Sequence, residues 1–503
     1  MRTLYRASRV HTLGHPRTGE WLVVDDRHVQ RVGTGDPPEA DRLVELPGTT
    51  VLPGLIDSHV HLTSTGLSLR NEDAAAVRSA EGLLRLAAER ITAGSDPIVL
   101  QGFDETRWER PETPTLPELD GAVAQPLVIL RADGHVSLLN SAAIRAAEVK
   151  GLDGLELGAD GEPTGRVSRE ANRAVHRWLA DSRTEHAIEE LQLEAAGLAA
   201  ARGVTALHEM SMPMDDGERD LEVLLRHQGK LPVDVVPIVA TMDVPRAIEL
   251  GLSAIGGDLP TDGSIGARTA AVSAPYRDRA GDGATYYGDD ELAGFFHDAH
   301  GAGLQVGVHA IGDRAIEQVL SAWERIYAGL DSRERRHFRA RRHRVEHFEM
   351  PSDHHVERAA MLGLAVSVQP AFDLLWGHGG GLYEVGLGAE RAARMNPFRT
   401  MLQRGIVLGA GSDAPVTPLD PWLAIAAMER HHAPSERLSR VEAIRVHTVG
   451  SARLAHQEEK KGSLEPGMHA DFCAYDADPF EVSDPEGLRP VLTVSLGREV
   501  FAA

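Results

Sequence analysis

Val51-Leu52-Pro53-Gly54-Leu55-Ile56-Asp57-Ser58-His59-Val60-His61-Leu62 is the stretch on which the reading of this chain turns. It is an apolar run that ends in His-x-His. On an extended strand, residues two apart point to the same side, so such a strand presents both imidazoles together. Two neutral imidazoles converging at a strand end form half of a first-row metal site. Taken alone, the pair also reads as two surface histidines after a turn, so the rest of the chain has to decide.

Outward from this strand, the texture alternates between short apolar runs and helical or loop stretches, the signature of a parallel sheet. The strand-like runs are 51–60, 204–208, 233–239, 254–259, 304–308, 344–347, 364–368 and 406–408. They number eight, which closes a TIM barrel. The fourth is glycine-rich and the weakest. Residues from about 66 to 190 break the repeat, with strands of their own at 98–100 and 127–130 and a proline-rich loop at 111–117. They read as an inserted α/β segment after the first strand. Residues 1–50 and the stretch from Gly462 are each too short to bury a core alone. Paired in space they predict one small β-sandwich made from both termini. The expected division is 1–55, a barrel over 56–461, and 462–503.

At 503 residues the chain exceeds one ordinary core. Its net charge of -23 argues against nucleic acid or an anionic membrane as partner. No run reaches the roughly 18 apolar residues of a membrane helix, and Met1 to Val10 lacks the apolar core of a signal peptide. Cys473, the only cysteine, excludes an intrachain disulfide and reads as a small buried hydrophobe. A cytoplasmic location is therefore the expectation.

In a TIM barrel, functional side chains sit where strands end. There the sequence places His59 and His61 on the first strand, His309 on the fifth, His347 on the sixth and Asp413 on the eighth. Four histidines and one aspartate at one rim suit one or two divalent ions. Singly, each histidine also reads as a hydrogen-bonded barrel residue, and Asp413 as a helix N-cap.

The opening stretch resembles that of the amidohydrolase superfamily, and further segments narrow the resemblance to its YtcJ-like branch, amidohydrolase family 3. These are Arg131-Ala132-Asp133-Gly134-His135, Asn140-Ser141-Ala142-Ala143, Gly161-Glu162-Pro163-Thr164-Gly165, and Asp262-Gly263-Ser264-Ile265-Gly266-Ala267-Arg268-Thr269-Ala270. His309-Ala310-Ile311-Gly312-Asp313, Gly411-Ser412-Asp413-Ala414-Pro415 and the run Gly462 to Asp471 complete the set. The resemblance implies a distorted TIM barrel beside a β-sandwich. It implies His59, His61, His309 and His347 as metal ligands, and Asp413 as both ligand and general acid/base. His347 is also assigned to catalysis on this reading.

One departure stands out. Many superfamily members bridge two metals with a carbamylated lysine on the fourth strand. This chain has four lysines (Lys150, Lys230, Lys460 and Lys461), none at a barrel strand end. The alternatives are a single ion or a carboxylate bridge, with Glu209 the first choice and Asp258 the second. A solvated loop residue is the competing reading of Glu209.

The expected cofactor is a divalent metal, zinc first, as one or two ions. The expected reaction is hydrolysis of a non-peptide amide, N-acyl or N-formyl bond in a small molecule. Deamination of a cyclic amidine is the alternative, and a non-catalytic metal-binding scaffold the third. Asp133, His135, Asp262, Arg268, Gln369 and Trp376 are the expected substrate contacts, with an Arg268 ion pair as the competing reading. His354, His355, His431 and His432 read as solvated, and His208 as turned from the face of Glu209. The subunit number stays open, a homodimer being one reading.

Overall fold

The computed structural model of the chain describes residues 1–91, 97–105, 108–131, 134, 136–213 and 218–503. Asp133 and His135 lie outside these. The chain divides into two compact units. One comprises Met1–Leu62, Gln192–Met212 and Leu224–Ala503; the other comprises Thr63–Leu191 with Pro213–Val223.

The larger unit is a mixed α/β structure with parallel sheets, a TIM-barrel-like fold. One parallel sheet runs, in spatial order, through Leu55–Val60, Val204–Ser211, Asp234–Val239, Ala254–Ile255 and Gln305–Val306. A second runs through His309–Ala310, Arg344–His347, Ala365–Val368 and Val407–Ala410. Gln305–Val306 and His309–Ala310 are two halves of one strand, so the strands number eight. A parallel bridge from Val60 to Ala414 connects the last strand to the first, and another joins Pro260 to His309. Each pairing is parallel because helices such as Asp313–Ala328 and Asp353–Leu362 carry the chain back between strands.

The expected fifth strand, 304–308, is interrupted at Gly307. There the fourth and fifth strands approach too closely for side chains: a Cβ on Gly256 (φ +87°) would overlap the Gly307 carbonyl oxygen. The closest approach of the first and eighth strands makes the same demand on Gly411, where a Cβ would overlap the His59 backbone and the Asp57 carboxylate. Asp57 stitches this seam. Its carboxylate accepts the backbone N–H of Ser412 at 3.0 and 3.1 Å and that of His59 at 3.1 Å. Burial pushes its carboxyl up to about 6 against the pull of those donors.

Both termini build one seven-stranded sheet. Its order is Arg498–Ala502, Leu492–Ser495, Phe472–Tyr475, Arg42–Pro53, Arg2–His11, Thr18–Asp25, His28–Gly33. Val29 and Val32 from one end of that order share a core with Leu492 and Val494 near the other, around Phe472, Tyr5 and Leu22. Cys473, between Phe472 and Ala474 on the same strand, is buried as expected but faces away from this core, its thiol donating to Gly203 O.

The smaller unit carries a six-stranded mixed sheet with two apolar clusters, one around Phe103, Trp108 and Leu127, the other around Val128, Leu139 and Val175. Asn140 shows why its motif has that residue. Its side-chain oxygen accepts from Ala143 N and Leu127 N, each at 3.0 Å, capping a helix and a strand at once. Among the described residues, no helix is long and apolar enough to cross a membrane.

Candidate metal centre

At one rim of the parallel strands, four imidazoles surround Asp258. Its Oδ1 lies 3.1 Å from His347 Nε2, 3.4 Å from His309 Nδ1 and 3.7 Å from His59 Nε2, and its Oδ2 lies 3.6 Å from His61 Nε2. Asp413 faces the first-strand pair, its Oδ1 3.1 Å from His61 Nε2 and 3.4 Å from His59 Nε2. His59, His61 and Asp413 form one group able to hold an ion, and His59, Asp258 and His347 another.

Each imidazole is fixed by its other nitrogen. His59 Nδ1 bonds Glu346 Oε2 at 2.9 Å, His61 Nδ1 bonds Met210 O at 2.8 Å, and His347 Nδ1 bonds Gln369 Oε1 at 2.7 Å. His309 is held from the opposite side, its Nε2 3.3 Å from Gly263 O and 3.6 Å from Asp262. Each acceptor takes an N–H from its imidazole, so the inward nitrogen is the one that can exchange its proton for a metal ion. Metal-binding histidines are built this way. Sequence alternation would turn His347 away from the face that carries Arg344 and Glu346. A left-handed backbone at His347 (φ 68°) brings it round, and Asp413 also sits in that region (φ 56°).

The electrostatics follow from this crowding. Burial disfavours charge on His59, but Asp258 and Asp413 outweigh it and hold the imidazole well above its ordinary range. His61 rises to about 9 because Asp413 overcomes its burial, and His309 rises to about 9 through Asp258. Burial would raise both carboxylates; the surrounding imidazoles instead hold Asp258 and Asp413 well below the usual range. Two buried atoms, His59 Nε2 and Asp413 Oδ1, have no hydrogen-bond partner. Buried polar atoms of this kind need a partner, and both face the point where the first group converges. Imidazole nitrogen with carboxylate oxygen is a donor set for a divalent ion, and the residues present fit one.

Other expected site residues lie elsewhere or act differently. Glu209 does not join either convergent group: its Oε2 accepts Leu62 N at 2.6 Å and its Oε1 the Ser211 hydroxyl at 3.1 Å. Asp258, the second choice, faces the four imidazoles. Asp262 is fully buried and accepts the backbone N–H of Ala271, Ile311 and Gly312, so it shapes the turn that presents His309. Arg268 is spent on Asp278 (Nη2 to Oδ2, 2.6 Å) and packs on Tyr276, the competing reading of that residue. Gln369 orients His347, and both nitrogens of His347 are thereby committed to ligand geometry. Trp376 is half-buried in an aromatic row: Phe372 lies 6.1 Å from the His347 ring, Trp376 4.5 Å from Phe372, and Tyr383 6.4 Å from Trp376.

Three histidines read as solvated are not. His355 is buried against Glu317, and His431 and His432 meet Asp373 on the helix Pro370–Trp376. His432 donates to Asp373 and to Ala392 O, while His431 Nε2 donates to Asn396 O at 2.9 Å. With their nitrogens so used, this trio is a hydrogen-bonded clasp. His354 is exposed and His208 lies buried against Arg344.

The amidohydrolase family profile matches residues 42–501, and the chain belongs to that family. It is a hydrolase of carbon–nitrogen bonds other than peptide bonds. The protein named as amidohydrolase YtcJ in Bacillus subtilis (strain 168) is 29% identical over 491 residues, 90% of this chain and 88% of that one. The N-substituted formamide deformylase of Arthrobacter pascens is 24% identical over 488 residues, 89% and 87% of the two chains. The crystal structure of a metal-dependent hydrolase from Pyrococcus horikoshii OT3 superposes with a TM-score of 0.82 at 25% identity, covering 97% of this chain and all of the other.

Proposed function

We propose that this protein is a zinc-dependent amidohydrolase that cleaves the C–N bond of a small N-acyl or N-formyl amide, with Asp413 as general acid/base. The observation that carries the proposal is the convergence of four oriented imidazoles on two carboxylates, with His59 Nε2 and Asp413 Oδ1 buried and making no hydrogen bond.

Each inward nitrogen can ligate once, which favours two ion positions. His59 Nε2, His61 Nε2 and Asp413 would hold one ion; His309 Nδ1 and His347 Nε2 would hold the other. Asp258, with one oxygen toward each set, would be the carboxylate they share. This takes the place of the superfamily's bridging lysine. When bound, such ions polarise a carbonyl oxygen and lower the pKa of water toward about 7. The chain's own part is proton traffic. Asp413, held ionised by His59 and His61, accepts the proton of the attacking water and passes it to the leaving nitrogen as the C–N bond breaks. The products are a carboxylic acid and an amine. The half-buried Trp376, beside Phe372, supports an apolar or aromatic substituent on the substrate. The deformylase relative favours the N-formyl case. The same reading takes the two parallel sheets as a closed, distorted eight-stranded barrel over 56–461 and the terminal sheet as a β-sandwich.

The test is to incubate zinc-loaded protein with N-formyl amines, N-acyl amines and cyclic amidines while assaying carboxylate, amine and ammonia. Carboxylate and amine appearing together, and abolished by chelator, are expected. Ammonia release from amidines alone would transfer the site to deamination, and no turnover in any class would refute the hydrolytic reading.

A further inference from the structure

Beneath the metal centre, where a parallel barrel is usually filled by branched apolar side chains, this one holds a charged layer. Arg344 and Glu346 are both fully enclosed. Arg344 Nε donates to Glu346 Oε1 at 2.8 Å and Nη2 to Oε2 at 3.0 Å. Two further guanidinium donors are placed: Nη2 also reaches Ser58 O at 2.8 Å and Nη1 reaches His208 Nδ1 at 3.2 Å. Ser58 and Ser367 share a hydrogen bond in the same layer at 2.8 Å. Glu346 Oε2 then accepts the Nδ1–H of His59 at 2.9 Å. The chain of bonds thus runs from a neutral buried imidazole, through a buried ion pair, to a nitrogen of the metal centre.

A buried ion pair is a weak source of stability, because removing two charges from water cancels most of their attraction, and apolar residues of similar volume serve as well or better. A pair placed here therefore calls for another role, and among the described residues His59 is the ligand side chain it bonds. We infer that Arg344 and Glu346 are positioning residues for the ion at His59, His61 and Asp413. Glu346 fixes the Nδ1–H tautomer of His59 and enriches its Nε2 lone pair. Arg344 holds Glu346 in place through two hydrogen bonds. This inference rests on the metal reading above and goes beyond it by assigning the control of affinity to two side chains that coordinate nothing.

The test reads zinc affinity rather than turnover, by competition with a chromogenic chelator, alongside the thermal midpoint of the metal-free protein. E346Q retains an acceptor for His59 but not its charge, and is expected to weaken zinc binding about 10-fold. E346L removes the acceptor and is expected to weaken it about 100-fold, within the range for such supporting partners. E346L also strands the Arg344 charge, so the double variant R344M/E346L serves as the folded control. It should match the wild-type midpoint without metal and still bind zinc about 100-fold more weakly. Wild-type zinc affinity in R344M/E346L would reduce the pair to packing and overturn the inference. If the wild-type chain itself bound no zinc, the metal reading would fall, and this inference with it.

Discussion

Asp258→Asn preserves side-chain shape and removes a carboxylate that faces all four imidazoles. Without metal, Asp258 and Asp413 can balance two imidazolium charges; the variant can balance one. At the 3.4 Å separating Asp258 from His309, a unit pair in an effective dielectric of ~20 is worth ~5 kcal/mol. Desolvation offsets part of that, and stranding one member of a buried pair costs ~3–5 kcal/mol. The metal-free variant should therefore be less stable than metal-free wild type by ~3–5 kcal/mol near neutral pH. Urea unfolding followed by tryptophan fluorescence reads this directly. Elemental analysis of the loaded proteins should find two zinc ions per wild-type chain and at most one in the variant. Wild-type zinc content together with an unchanged urea midpoint would refute the shared-carboxylate role.

Other expectations are independent of that one. Asp413→Asn should keep the protein folded and lower turnover about 10²- to 10⁴-fold, the usual contribution of a general acid/base; an undiminished kcat would remove Asp413 from the chemistry. His447 is buried and its imidazole is pushed down to about 4 by burial. The unfolded chain takes up that proton first, near pH 6.5, so stability is present above 6.5 and lost as pH falls toward 4. The loss approaches ~3 kcal/mol at ~1.4 kcal/mol per unit. H447F should lack this part of the acid sensitivity, and identical acid profiles would contradict it. Cys473, buried and pushed up to about 12, should resist iodoacetamide at pH 8 in the native protein and react fully in denaturant.

The barrel strands were legible because each is a short apolar run ended by glycine, proline or a polar motif. The histidines at strand ends followed from that register. What the sequence did not carry was partnership across the fold. That Glu209 accepts the N–H of Leu62, far away in the chain, while Asp258 faces the imidazoles is not written in either residue's neighbourhood. Motif position alone does not show that Asp262 bonds the backbone of Ala271, Ile311 and Gly312, or that Gln369 bonds His347. His431 and His432 sit in polar surroundings in the sequence, while their partner Asp373 lies 59 positions from His432. Glu346 went unnoticed although a signal was present. Arg344 and Glu346, two apart on a fully buried strand, share one face, so the pair is buried together.

Anomalous diffraction from zinc-soaked crystals decides whether His59, His61, His309 and His347 hold metal. Two peaks are expected at coordinating distance, about 2.0–2.2 Å from ligand atoms. One should lie on His59 Nε2, His61 Nε2 and Asp413, the other on His309 Nδ1 and His347 Nε2, with Asp258 between them. A map with zinc only at Asp373, His431 and His432, or with no peak among these imidazoles, would contradict that expectation.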